Sequence, residues 1–141
     1  MSDDRHAIMD LIMRYALAGD SGDFEALGAC FAEDGILDLP LARGTGPDGV
    51  HAALAAAGET HPLGLHTRHH VTTMVITPAA DGKHAGGRVY FIAYTNRGPD
   101  HSGVWEDRYV RTGAGWRFAH RTVDIEWQSS DSQFRPFEPH R

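Results

Sequence analysis

Arg14-Tyr15-Ala16-Leu17-Ala18-Gly19-Asp20-Ser21-Gly22-Asp23 closes the first regular segment of the chain. Reading backwards from it, Ile8, Leu11, Ile12, Tyr15 and Ala16 recur at three- and four-residue spacing, which marks one apolar face of a helix. That helix ends near Gly19, turns Tyr15 inward and leaves Asp20 at its terminus. Half a domain later, Arg68-His69-His70-Val71-Thr72-Thr73 places imidazoles at the start of a β-branched strand. A carboxylate and a histidine converging on one pocket point to proton-transfer chemistry.

Working outward, Asp23 caps a second helix whose inward residues are Phe24, Leu27 and Phe31, and Glu33-Asp34-Gly35 supplies the turn out of it. A short strand, Ile36 to Leu39, follows. Thr45-Gly46-Pro47 starts a third helix that runs through Val50, Leu54 and Ala57 to Gly58, thinly apolar and suited to a lid or packing layer. From Arg68 onward, strands are expected at 68–77, 86–96, 103–112 and 116–127, joined by Asp81-Gly82, Gly98-Pro99-Asp100 and Gly113-Ala114-Gly115. Such short connections imply antiparallel neighbours. The expected fold is α+β: three N-terminal helices packed on a curved, mainly antiparallel sheet that encloses an apolar pocket. The domain is expected over residues 1–128. A tail over 129–141, with Pro136 and Pro139, is either disordered or an arm across the pocket or a partner subunit.

With 141 residues, 41% of them hydrophobic, the chain has the size of one globular domain with one core. Its net charge of -6 leaves no electrostatic footprint for nucleic acid, and no apolar run is long enough to cross a bilayer, so neither partner is expected. Cys30 is alone, which rules out an internal disulfide, and Met1-Ser2-Asp3-Asp4-Arg5 lacks the layout of a secretory signal. A cytoplasmic location is the expectation. His66-Thr67-Arg68-His69-His70 is a weak metal signal, because strand neighbours diverge and no cysteine or acidic third ligand stands near. No metal and no cofactor are expected.

Taken in order, Ile8-x-x-Leu11-x-x-Arg14-Tyr15-Ala16, Asp20-x-x-Asp23, Leu27-x-x-x-Phe31-Ala32-x-Asp34-Gly35, Arg68-His69, Gly103-x-Trp105-x-Asp107-x-Tyr109 and Gly115-Trp116-Arg117-x-x-x-Arg121 form a pattern over nearly the whole chain. It resembles the SnoaL-like branch of the nuclear transport factor 2-like superfamily. The resemblance implies a cone-shaped α+β barrel around a deep apolar cavity. Enzymes of this type include polyketide cyclases, scytalone dehydratase, bile acid dehydratase, hexachlorocyclohexane dehydrochlorinase, ketosteroid isomerase and limonene epoxide hydrolase, and other members are noncatalytic. In the dehydratases and the dehydrochlorinase a carboxylate after the first helix orients a histidine on the facing strand, and the matching positions are Asp20 and His69. The bile acid dehydratase pattern adds a tyrosine matched by Tyr15 and an acid matched by Asp107. This chain departs from the family where Thr73 replaces a frequent asparagine and Trp105 a frequent tyrosine.

The resemblance therefore implies Asp20 as orienter, His69 as base and Tyr15 as proton donor, with His70, Trp105, Asp107, Tyr109 and Arg121 as substrate-binding residues. Strand alternation puts His69, Val71, Thr73 and Val75 on one face and His70, Thr72, Met74 and Ile76 on the other, so one histidine reaches the pocket. Family spacing selects His69, with His70 as the alternate. Plainer roles exist: Asp20 as a helix cap, Asp107 paired with Arg121, and Phe91, Ile92, Trp116 and Phe118 as core. The expected function is a cofactor-independent lyase or isomerase, dehydration foremost, acting on a small apolar cyclic molecule such as a polyketide, steroid or aromatic compound. The competing readings are a noncatalytic small-molecule-binding or assembly domain and the small subunit of an aromatic-ring dioxygenase. A homodimer or other homo-oligomer is expected from the exposed sheet face of this architecture.

Overall fold

The periodic residues of the first segment form the helix that their spacing predicts. In the computed structural model, which describes residues 2–57 and 66–134, helix α1 (Ser2–Ser21) buries Ile8, Leu11 and Ile12 completely and Tyr15 and Ala16 nearly so. Gly22, at φ 72°, breaks the helix in a conformation that glycine adopts without strain. Asp23 then caps α2 (Phe24–Gly28), its carboxylate accepting the Ala26 N–H at 3.0 Å. Helix α3 (Gly46–Ala56) begins with Pro47 in its first turn and buries Val50, Ala53 and Leu54. Ala57, just beyond it, is buried as well, and Gly58 lies outside the described residues.

Six strands form one sheet: β1 (Phe31–Asp38), β2 (Arg43–Thr45), β3 (Arg68–Pro78), β4 (His84–Thr95), β5 (Gly98–Thr112) and β6 (Gly115–Gln128). Their order is β2-β1-β6-β5-β4-β3, with β2 and β3 at the two edges, so the sheet curves without closing. β3 to β6 pair antiparallel through short connections, β1 pairs antiparallel with β2, and β1 runs parallel to β6. The helices bury their apolar stripes against residues such as Phe31, Val89, Phe91, Trp105, Tyr109 and Phe118 of this sheet. No helix among the described residues is long and apolar enough to cross a membrane.

Three local expectations are corrected, each by a bulge. Glu33-Asp34-Gly35 is not a turn but part of β1, and Phe31 is a strand residue rather than the end of α2. Phe31 pairs with Phe118 and Ile36 with His120, so residues 32–35 bulge opposite Ala119. Gly35 fits this crowding because a Cβ there would lie 2.5 Å from the Phe118 carbonyl oxygen. The β4–β5 hairpin turns at Asn96-Arg97, not at Gly98-Pro99-Asp100, and Thr95 Oγ1 accepts the Arg97 N–H at 3.1 Å. Pro99 is tolerated inside the strand because the register slips there: Tyr94 faces Pro99 and Ala93 faces His101, which leaves Asp100 as the extra residue. In β3 a slip between Val71 and Thr73 exchanges the two faces, so Ile76 joins the core beside Met74 while Val75 is 64% exposed.

Beyond β6, residues 129–134 fold back on the start of β5. The Ser129 N–H donates to the Asp100 carbonyl oxygen at 2.7 Å, and the Phe134 ring meets that of His101 at 5.1 Å between centroids. The tail from residue 135 onward lies outside the described residues.

Candidate active site

Asp20 stands in the last turn of α1, where it faces the first residues of β3. Its carboxylate accepts the backbone N–H of His69 on both oxygens, at 3.0 and 3.1 Å, and its Oδ1 lies 2.5 Å from Nδ1 of the same residue. The carboxylate is thus committed to one residue of the facing strand, while the capping of α2 falls to Asp23. Asp20 is 9% and His69 20% exposed by side chain, so the pair is shielded on the carboxylate side and open on the imidazole side. The Nδ1 contact puts a hydrogen on Nδ1 and leaves Nε2 of the neutral ring as the acceptor.

The imidazole forms part of the wall of a cavity, with about 60 Å³ open to the centres of water molecules. Tyr15, Leu54, Phe91, Trp105, Ile125 and Phe134 are among the residues of its apolar wall, and Thr67 and His101 add polar groups. Phe91 and Trp105 stack at 4.7 Å and 14°, and the His69 ring sits about 6 Å from each, at 5.9 and 6.2 Å. Tyr15 meets Trp105 edge-on at 5.3 Å, which fixes its ring at the base of the same wall.

Asp107, Tyr109 and Arg121 lie behind that wall rather than among the residues lining the cavity. Arg121 is fully buried and donates Nε and Nη2 to the two oxygens of Asp107, each at 2.7 Å, while the Tyr109 hydroxyl donates to Asp107 Oδ2 at 2.7 Å. The guanidinium is sandwiched among rings, its carbon 3.9 Å from the centroid of Trp105, 4.2 Å from Phe118 and 4.3 Å from Tyr15. Burial works against its charge, yet Asp107 holds the Arg121 pKa above the ordinary value. Burial, with Asp107 adding to it, pushes the Tyr109 phenol up. Of the predicted substrate-binding residues, Trp105 is on the cavity and these three support it. His70 is exposed on the other side of β3, its ring against Tyr94 at 4.9 Å. Among the described residues no group of three or more His, Cys, Asp or Glu side chains is arranged to hold a metal ion.

One buried pair was not among the expected site residues. His101 Nδ1 lies 2.7 Å from Asp100 Oδ1, and His101 lines the cavity beside His69, the two rings edge-to-face at 6.1 Å. The signal in the sequence was the Asp100-His101 dipeptide itself, hidden by reading Gly98-Pro99-Asp100 as a turn. Burial pushes the His101 pKa down, Asp100 opposes this, and nearby His69 adds to it. Burial would raise the Asp100 carboxyl, but hydrogen bonds from Ser132, His101 and the Gln133 N–H outweigh it and hold the pKa low.

A pH dependence follows with a definite sign. Unfolded, His101 takes a proton near its ordinary value of about 6.5, above its folded pKa, so the stability of its neutral burial is present above that pH and lost as pH falls through the folded value. The Asp100 contribution persists above about 3.9 and is lost only as pH falls further, through its lowered folded pKa. Thermal unfolding is therefore expected at lower temperature at pH 5 than at pH 7, with a smaller difference in a His101→Gln variant; equal differences in the two proteins would contradict this assignment.

The SnoaL-like domain model matches residues 1–122. No curated protein sequence matches the chain. Among solved structures, a protein of unknown function with a cystatin-like fold from Nostoc punctiforme superposes with a TM-score of 0.79 at 20% identity, covering 94% of this chain and 96% of that one. A Novosphingobium aromaticivorans protein named for scytalone dehydratase superposes at 0.76 with 23% identity, covering 99% and 97%. ActVI-ORFA from Streptomyces coelicolor superposes at 0.75 with 20% identity, covering 86% and 96%. At these identities the likeness speaks for the fold. The domain match extends from the first helix into β6, the strand that carries Arg121, and the chain belongs to the SnoaL-like domain family.

Proposed function

We propose that the chain is a cofactor-independent lyase in which His69, oriented by Asp20, removes a proton from a small, largely apolar cyclic substrate. The family includes cyclases, dehydratases and isomerases, and the observation that carries this reading is the 2.5 Å contact between Asp20 Oδ1 and His69 Nδ1 at the wall of an aromatic-lined cavity. Asp20 fixes the tautomer with Nε2 as base and stabilises the imidazolium as it forms, the part a carboxylate plays in hydrolase triads. A base of this kind contributes on the order of 10²- to 10⁴-fold in rate.

In the dehydration favoured here, Nε2 takes a proton from the carbon next to a carbonyl. The C–H electron pair becomes the new C=C bond, the C–O bond to the neighbouring hydroxyl breaks, and the proton held by His69 passes to the departing oxygen, which leaves as water. The Tyr15 hydroxyl supports that oxygen by donating a hydrogen bond as it departs. No step of this sequence requires a metal or an organic cofactor. Trp105 and Phe91 supply the flat apolar surface on which a ring packs. The working assembly is a homodimer, favoured by Val75 and Tyr90, which stand exposed on the neighbouring strands β3 and β4.

The test is a panel of cyclic β-hydroxyketones followed by the absorbance of the conjugated enone. Wild-type protein is expected to convert at least one member, and His69→Ala to convert none above the uncatalysed rate. Members that bind in the cavity, with none of the panel converted by the wild type, would support a binding module and overturn the enzyme reading.

A further inference from the structure

Two buried side-chain polar atoms lack a hydrogen-bond partner among the described residues, and one of them, the Thr67 hydroxyl, belongs to the wall of the cavity. Thr67 is 1% exposed, so bulk water does not satisfy that hydroxyl either. Valine has nearly the same shape and would fill the position without burying an unpaired polar group, so the hydroxyl costs stability that packing alone does not explain. The backbone beneath it is held, since the Thr67 carbonyl oxygen accepts Arg68 Nη1 at 2.7 Å. The hydroxyl itself turns about a single side-chain bond, so an acceptor in the cavity captures it without backbone movement. Thr67 immediately precedes β3 and stands two residues before His69, which lines the same cavity. Two residues of extended chain advance roughly 6.6 Å and return to the same face, which places the hydroxyl beside the imidazole.

We infer that the Thr67 hydroxyl donates to the carbonyl oxygen of a ring ketone bound in this cavity, next to the carbon from which His69 Nε2 removes a proton. The inference rests on reading the cavity of Asp20 and His69 as the substrate site. An enolisable ketone matches the spacing, because its oxygen and its acidic C–H sit on neighbouring carbons and each reaches outward to one of the two groups. As Nε2 takes the proton, negative charge gathers on the carbonyl oxygen. A donor already fixed there, in a site closed to bulk water, binds the transition state more strongly than the ground state. Tyr15 serves the departing oxygen of a β-hydroxyketone, and Thr67 gives the second oxygen its own donor. A hydrocarbon ring would leave the Thr67 hydroxyl as unpartnered as it is in the empty fold.

The probes are cyclohexanone and methylenecyclohexane, which share a shape and differ in C=O against C=CH₂, titrated calorimetrically into the full chain. Thr67→Val is expected to weaken cyclohexanone by on the order of tenfold and to leave methylenecyclohexane unchanged. Thr67→Ser, which keeps the hydroxyl, should bind both probes as the wild type does. The infrared carbonyl band of bound cyclohexanone should stand at lower frequency in the wild type and Thr67→Ser than in Thr67→Val. Without ligand, Thr67→Val should unfold at the wild-type temperature or above it, because the fold loses no hydrogen bond. Equal losses for the two probes, a carbonyl band at the same frequency in all three proteins, binding of neither probe by the wild type, or a Thr67→Val protein that melts well below the wild type or fails to fold would each overturn the inference. None of these readouts involves turnover. Hydroxyketones that bind without conversion therefore remove the base chemistry and leave this hydrogen bond standing, and a failed ketone preference leaves Asp20 and His69 to their own assay.

Discussion

Asp20→Asn is expected to lower kcat/KM by about 10²- to 10⁴-fold on any substrate the protein turns over, with little change in KM. The Nδ1–H of His69 has one acceptor in this site, and an amide turned to keep its oxygen on the backbone N–H of His69 presents its NH₂ group to the ring. The ring then favours the other tautomer, with its hydrogen on Nε2 where the base must be. His69→Ala should cost at least as much, and the double variant little more than the worse single, because the two residues act as one unit. Steady-state kinetics on the three variants, together with thermal unfolding, check this: an Asp20→Asn protein with near wild-type kcat, or additive losses in the double variant, would remove the dyad from the mechanism. Stability should change far less than rate, since asparagine retains an oxygen for the His69 N–H.

Asp107→Ala should destabilise the fold by about 3–5 kcal/mol, the usual cost of leaving a buried charge without its partner. Arg121 is wholly enclosed, with Nε and Nη2 on Asp107 and its plane against Tyr15, Trp105 and Phe118. Removing the carboxylate strands a cation among aromatic rings and leaves the Tyr109 hydroxyl without its acceptor. Replacing the pair together, Asp107→Leu with Arg121→Met, should recover much of the loss, because the charge and its counter-charge leave in the same step. Denaturant unfolding of the two variants measures both effects, and a loss below about 1 kcal/mol for Asp107→Ala would mean that water reaches the site. The pair also bears on function: Tyr15 and Trp105 line the cavity on one side and rest on the guanidinium on the other, so loosening Arg121 loosens the wall against which substrate would pack.

The parts of this molecule that depend on local periodicity were legible in its sequence. Ile8, Leu11, Ile12 and Tyr15 mark α1 because a helix repeats within a few residues, and Asp23 and Pro47 mark helix starts through chemistry confined to one turn. Gly113-Ala114 implies a tight hairpin, and in that hairpin Asp107 falls directly opposite Arg121, so their pairing was already visible as an alternative. The bulges were not legible, because they are set by the partner strand rather than by the residues that form them. Residues 32–35 contain the acids and glycine of an ordinary turn, and only the approach of β6 makes them a bulge. Gly98-Pro99-Asp100 has turn chemistry, yet the hairpin closes at Asn96-Arg97, and the resulting slip brings Asp100 and His101 to one side. β2, three residues long, carries no period to read.

The central claim is that Asp20 holds His69 with its hydrogen on Nδ1 and a basic Nε2 toward the cavity. The most direct measurement is the ¹⁵N–¹H correlation spectrum of the His69 ring at neutral pH, in the wild type and in Asp20→Asn. The wild type is expected to show a protonated Nδ1 and an unprotonated Nε2, and Asp20→Asn to reverse the pattern or average it. A hydrogen on Nε2 in the wild type, or a wild-type pattern that persists unchanged without the carboxylate, would contradict the account.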